Sequence, residues 1–293
     1  MNWIIAAASA AVLFTVVAVI SKELMDHIDA IEFTAIYSLI ALIFYTPVFI
    51  YYLTQQTPEL TTILILAILS SGLGNILGML SYNYGLKHTS LSIAMPLNRT
   101  QPVFVAIIAA TLLNEVMTLE KVAGILTVTV ASYIILMKNP HDPLDPITNL
   151  LHDYGAQLAT LSAVFFSATS VIDRYVTTNF SPEIYTFLIL AIMTTALNLY
   201  LFQANRHEDY SKHLKKELTN YKKHYALAGI LTAAAYLALY QAFSQAEASK
   251  VVPVLQLQVP LTVIAGIEIF DETHILQKII GATLLIIGII LVV

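Results

Sequence analysis

Arg99 stands in a long apolar stretch, LSIAMPLNRTQPVFVAIIAATLL, flanked by Asn98 and Gln101. A guanidinium stays ionised and offers a planar fork of donors, which suits a carboxylate or a phosphate. The chemistry on offer is therefore anchoring of an anion. On a helix, Asn98 and Gln101 lie about 60° apart and Arg99 about 100° from Asn98, so one polar arc can carry all three. Gln256 and Gln258 stand in a second stretch of the same kind, although they do not share one face. Asn83 and Tyr84, and further on Tyr240 and Gln241, add polar groups suited to the wall of a site for a small amphipathic solute. A structural arginine that ties helices through backbone carbonyls is the other reading of Arg99, and both stay open.

The elements that must position these groups occur twice. Residues from about Ser92 to Gly124 recur from about Ser249 to Gly281, pairing Pro96 with Pro253, Arg99 with Gln256, Gln101 with Gln258, Glu115 with Glu272, Lys121 with Lys278 and Gly124 with Gly281. A repeat of this kind dictates architecture. Only 11% of residues are charged and 58% are hydrophobic, with a mean hydropathy of +0.76. A soluble domain carries about a quarter charged residues, so these values mark a polytopic membrane protein. Stretches of about 20 apolar residues fall near 3–21, 31–52, 61–84, 90–113, 118–137, 156–174, 182–203, 225–245, 248–270 and 275–293. The expected fold is thus all-α and integral to the cell membrane, with ten transmembrane helices. They divide into a first five-helix repeat at 1–137, a polar linker at 138–155 and a second repeat at 156–293. Because five is odd, the second repeat enters from the opposite face, and such inverted repeats place a site between them at the midplane. Arg99 lies about nine residues into the fourth span, roughly 13 Å deep; Gln256 reaches a similar depth from the other face.

Each half also carries a tyrosine-containing segment (Asn83-Tyr84-Gly85-Leu86, Tyr240-Gln241-Ala242-Phe243), a small-residue turn, a proline-containing helix, a glutamate and Lys-x-x-Gly. In that order and duplication the chain resembles the EamA-type repeat of the drug/metabolite transporter superfamily. The resemblance implies a secondary transporter of a small metabolite working by alternating access, an exporter with both termini in the cytoplasm and no enzymatic activity. An arginine common in the family's second helix is absent, and Tyr37 stands there. With Arg99 as anchor, the expected solute is an amino acid or similar carboxylate. The alternatives are a phosphorylated or nucleotide-linked metabolite exchanger of the same superfamily, for which a second cavity cation is missing, and a non-transporting scaffold, which would have a sealed centre.

Other features set secondary expectations. Pro96, Pro102, Pro253 and Pro260 should interrupt backbone hydrogen bonds in the fourth and ninth spans. Glu115 and Glu272, at tight turns before the fifth and tenth spans, read as partners of helix N-termini. Possible proton coupling has Asp173, Glu32 and Glu268 as further candidates, and no cofactor or metal is expected. All eight histidines are assigned to loops after odd-numbered spans, and no nucleotide-binding or hydrolase motif is present. The chain lacks cysteine and shows no basic platform for nucleic acid. The stretch 205–224, with Tyr210, Leu214, Leu218, Tyr221 and Tyr225 among lysines, reads as an amphipathic helix lying on the lipid bilayer. Lysine and arginine crowd the odd-numbered loops, which makes those loops cytoplasmic and both termini external, against the implication of the resemblance. Sequence leaves the oligomeric state open between monomer and homodimer.

Overall fold

A computed structural model describes residues 2–24, 29–56, 59–137, 148, 152–204, 219–266 and 275–293. The long spans are α1 (Trp3–Leu24), α2 (Ala30–Gln55), α3 (Thr62–His88), α6 (Leu119–Leu136), α7 (Tyr154–Asn179), α8 (Pro182–Ala204), α9 (Lys222–Gln245) and α12 (Ile275–Val292). The fourth and ninth spans are each two half-helices: α4 (Leu91–Asn98) with α5 (Gln101–Leu112), and α10 (Ala248–Leu255) with α11 (Gln258–Gly266). The ten apolar spans expected from sequence are all present, two of them broken.

The breaks follow from proline chemistry. Pro102 supplies no N–H to the carbonyl of Asn98, and Pro260 none to that of Gln256. The chain answers with tight i to i+3 turns: Thr100 N–H donates to Leu97 O at 3.2 Å and Val103 N–H to Thr100 O at 3.0 Å. In the second copy, Leu257 N–H donates to Val254 O at 3.1 Å and Val259 N–H to Gln256 O at 2.9 Å. Irregular backbone at membrane depth persists only where protein or a cavity satisfies it. Both breaks sit beside the repeat-related residues Arg99 and Gln256.

The two halves are interleaved. The most extensive helix contacts join one half to the other: α3 with α7, α1 with α9, α6 with α12, and α2 with both α8 and α9. Exchanging the halves turns α3 with α7 into α9 with α1, so the packing itself carries the pseudo-twofold relation. Bare backbone makes the closest approaches possible. A Cβ on Gly124 would stand 2.7 Å from Gly288 O, and one on Gly155 would stand 2.8 Å from Gly85 O. The first contact zips α6 to α12, and the second clamps α7 against α3 next to the Asp153 cap.

Segment 205–218 lies outside the described residues, and so does most of the expected surface helix. Its described end, 219–224, is mostly exposed, but the aromatic spacing leads inward: Tyr225, early in α9, is fully buried 5.2 Å from the Phe33 ring centroid. The helical spacing seen there belongs to the start of the eighth span. Lys222, Lys223 and His224 form its first turn, with His224 Nε2 4.0 Å from Glu23 Oε2.

Candidate functional site

A cavity of about 380 Å³ lies between the halves, lined by residues of α1, α2, α3, α7 and α9 and of both broken spans. A second space of about 280 Å³ shares Phe14, Ser21, Tyr37, Asn75, Phe166 and Tyr236 with it and adds Thr34, Met79, Tyr82, Asn83, Met193 and Thr232. Together they form one central vestibule. Thr34, Met79, Tyr82 and Asn83 belong to the odd-loop halves of α2 and α3, while Met193 and Thr232 lie near mid-depth, so the vestibule extends from mid-depth towards the odd loops. The sealed centre that a scaffold would have is not found.

Arg99 caps the C-terminal end of α4 and is half-buried on this wall. Among the described residues it has no carboxylate within ion-pair distance, and its electrostatic neighbour is the Tyr82 phenol. Asn98 and Gln101 share the wall, but their amides are already engaged with α7. Asn98 Nδ2 donates to Ser162 Oγ at 2.6 Å, and Gln101 Nε2 to Ser170 Oγ at 3.3 Å. Ser167 Oγ donates to Gln101 O at 3.1 Å. The serines of α7 thus hold the broken span in place, while the Arg99 guanidinium has no ion-pair partner among the described residues.

Asp173 lines the same cavity from α7. Ser71 Oγ and Tyr185 OH both donate to its Oδ1 at 2.5 Å, and among the described residues no side chain or backbone group donates to Oδ2. An ionised donor and a carboxylate therefore face one space without pairing with each other. Aromatic groups close the sides: Phe14 packs edge-on to Tyr236 at 5.3 Å, and Tyr236 stands 5.7 Å from Tyr240.

Of the residues singled out from sequence, Arg99, Asn98, Gln101, Gln258 and Asn83 line the vestibule. Gln256, Tyr240, Gln241 and Tyr84 do not. Gln256 is 1% exposed, and it is Gln258 that reaches the cavity. Depth along a helix does not fix which way a side chain points, and the turn at Gln256 rotates the next half-helix. Tyr240 is fully buried against Tyr185, ring centroids 4.6 Å apart. Gln241 Nε2 donates to Glu183 Oε1 at 3.4 Å, and the exposed Tyr84 hydroxyl lies 3.2 Å from that of Tyr200. Asn75, Tyr236 and Asp173 had weaker sequence signals than their position merits. Tyr37 takes part in the wall at the site where the resembled family often has arginine.

The end of the bundle that carries the termini and even-numbered loops is locked. Asn114, at φ 53°, ends the fourth span and turns Glu115 inward. The Glu115 carboxylate accepts from Ala248 N–H at 2.8 Å and Ser249 N–H at 3.1 Å, and from the Ser249 hydroxyl. Glu115 is thus the partner of a helix N-terminus, as expected; the helix it caps is α10 of the other repeat, while Thr118 caps α6. The buried Lys121 Nζ lies 2.8 Å from Glu247 Oε2 and 3.9 Å from Glu115 Oε2. Arg174 donates to the carbonyl of Phe243. Glu272 and Glu268 lie outside the described residues.

On the opposite end, Asp153 caps α7, accepting from Thr89 Oγ1 at 2.5 Å and from Gly155 N–H at 2.7 Å. These donors, the Thr89 hydroxyl first, hold its carboxyl below the ordinary range. His88 and His224 are in helix ends and not loops; the His88 ring stands 5.6 Å from Tyr154. His27, His141, His207, His213 and His274 lie outside the described residues. Among the described residues no cluster of metal ligands occurs.

The model of the EamA-like transporter family matches residues 1–137 and 153–293. No curated protein matches the sequence. A solved crystal structure, described only as that of a protein, aligns with a TM-score of 0.71 over 99% of this chain and 96% of its own, at 16% identity. At that identity the likeness establishes the fold alone.

Proposed function

The chain belongs to the EamA-like transporter family, within the drug/metabolite transporter superfamily, and from that premise we propose that this multi-pass membrane protein exports an amino acid or similar carboxylate-bearing solute by alternating access. The observation that carries the solute class is the unpaired Arg99 on the wall of a central cavity whose other charged group is Asp173. A carboxylate fits the fork of Arg99, and an amine on the same solute reaches Oδ2 of Asp173. Phe14, Phe166 and Tyr236 supply the apolar and aromatic surface between them.

The direction of transport draws support from charge and shape together. The vestibule faces the lysine-rich odd loops, the cytoplasmic side by the positive-inside rule, while the other end is held shut by Glu115 and Lys121. Loading from inside and release outside follows from that orientation. A phosphorylated solute fits less well. Among the described residues Arg99 is the one Lys or Arg that lines the cavity, and Arg174 lies in a separate cleft with Glu115 and Glu247.

The test is counterflow in proteoliposomes with panels of amino acids, their amides and the matching amines, with and without a proton gradient. Preference for free carboxylates supports the reading. Equal transport of acids and amides, or transport of phosphate esters alone, overturns it.

A further inference from the structure

Two of the buried polar groups that lack a partner among the described residues lie outside the vestibule lining yet beside it in the repeat. Gln256 Oε1 has no hydrogen-bond partner at 1% residue exposure, and neither has the fully buried Tyr240 hydroxyl. Unsatisfied groups of this kind are uncommon and call for an explanation. Both sit in the half of the bundle towards the termini, at the end of α10 and in the last third of α9. Their repeat mates are Arg99 and Asn83, and both mates line the vestibule.

Most of the remaining wall is symmetric. In the pairs Phe14 and Phe166, Gln101 and Gln258, Asn75 and Thr232, and Tyr82 and Leu239, both members line it. The sealed state of Gln256 and Tyr240 is therefore a difference of conformation between repeats that otherwise share a surface. In a transporter of inverted repeats, one half rocks against the other, and exchange of their conformations turns a cavity open on one side into a cavity open on the other.

We infer that Gln256 and Tyr240 line the solute site in the opposite, termini-open state, where they take the places that Arg99 and Asn83 hold here. The inference rests on the transporter reading above. Its consequence is a handover: a carboxylate held by an ionised guanidinium on the odd-loop side meets a neutral amide and a phenol on the other. Charge-assisted hydrogen bonds exceed neutral ones by enough to make binding about 10- to 100-fold weaker in the termini-open state. The break of symmetry at Arg99 and Gln256 thus eases release on the termini side, with net direction set by the solute or coupling gradient.

The chain has no native cysteine, so single cysteines report directly. Arg99→Cys, Asn83→Cys, Gln256→Cys and Tyr240→Cys are reconstituted and treated with a membrane-impermeant maleimide from each face. Asn179→Cys and Lys222→Cys, both at exposed positions on opposite ends, mark the faces. Ser132→Cys serves as a buried control, since Ser132 also has an unpartnered hydroxyl but its repeat mate is Ile289, outside the vestibule lining. The expected result is labelling of positions 99 and 83 from the Lys222 face and of 256 and 240 from the Asn179 face, at least tenfold faster than position 132. Silence of 256 and 240 at the Asn179 face, labelling of them from the Lys222 face, or rates equal to that of position 132 overturns the inference. Should Gln256→Cys fail to fold, Tyr240→Cys carries the same test. Equal transport of acids and amides would sink the carboxylate reading and leave this sided pattern intact, so the two failures are distinguishable.

Discussion

Removing the Glu115 carboxylate should loosen the closed end of the bundle through the start of α10, in the other repeat. In Glu115→Ala, the N–H groups of Ala248 and Ser249 lose their acceptor in a buried setting. Each orphaned donor costs about 1 to 2 kcal/mol, and the Ser249 hydroxyl can turn to a new partner. Lys121 keeps Glu247 at 2.8 Å, so no buried charge is stranded. The expected loss is about 2 to 4 kcal/mol, or roughly 4 °C or more in the unfolding midpoint of the detergent-solubilised protein. Glu115→Gln retains one acceptor oxygen and should lose about half as much. Scanning fluorimetry of the three proteins provides the measurement, with transport assayed at several proton gradients alongside. An unchanged midpoint in Glu115→Ala, combined with loss of proton-driven transport in Glu115→Gln, would refute capping and make Glu115 a coupling acid.

Three further outcomes follow from the geometry. Gly124→Ala pushes a Cβ to 2.7 Å from Gly288 O, and the forced separation of α6 from α12 should cost about 1 to 3 kcal/mol, read as a lower midpoint. Asp173→Asn keeps Oδ1 as acceptor for Ser71 and Tyr185 while removing the charge; transport of zwitterionic solutes should fall about tenfold or more while amine-free carboxylates are spared, as measured by counterflow. Asp153 has its carboxyl held below the ordinary range by Thr89 and the α7 N-terminus, so its contribution is present above the unfolded pKa and is lost as pH falls through the folded one. Asp153→Asn should therefore lower the midpoint at neutral pH, and its difference from the parent should shrink as the pH falls below the ordinary carboxylate range.

How far the sequence reaches is clearest at the broken spans. The prolines and the duplicated register announced both interruptions, because a missing N–H is a covalent fact that folding cannot hide. The same register put Arg99 and Gln256 at matching depths, and that held for depth alone. Azimuth is decided by how α4 with α5 and α10 with α11 dock on α7 and α1, and those contacts lie far apart in the chain. Hence only Gln258 of the two expected glutamines reaches the vestibule, and Gln256 is buried beside it. Asp173 was visible as a charge in a span, but its weight comes from Ser71 in the other half and Tyr185 in the next helix. Glu115 shows the same limit: a carboxylate beside a helix start was legible, while which helix it serves depends on the interleaving of the repeats.

The most direct measurement is equilibrium binding of one carboxylate solute and its amide to the purified parent protein, Arg99→Lys and Arg99→Gln. Anchoring by Arg99 predicts that the parent prefers the acid by about tenfold or more, that Arg99→Lys keeps part of this preference, and that Arg99→Gln binds acid and amide alike while its unfolding midpoint stays within a few degrees of the parent. An acid preference that survives intact in Arg99→Gln, or a collapse of stability in both variants, would contradict it and return Arg99 to a purely structural role.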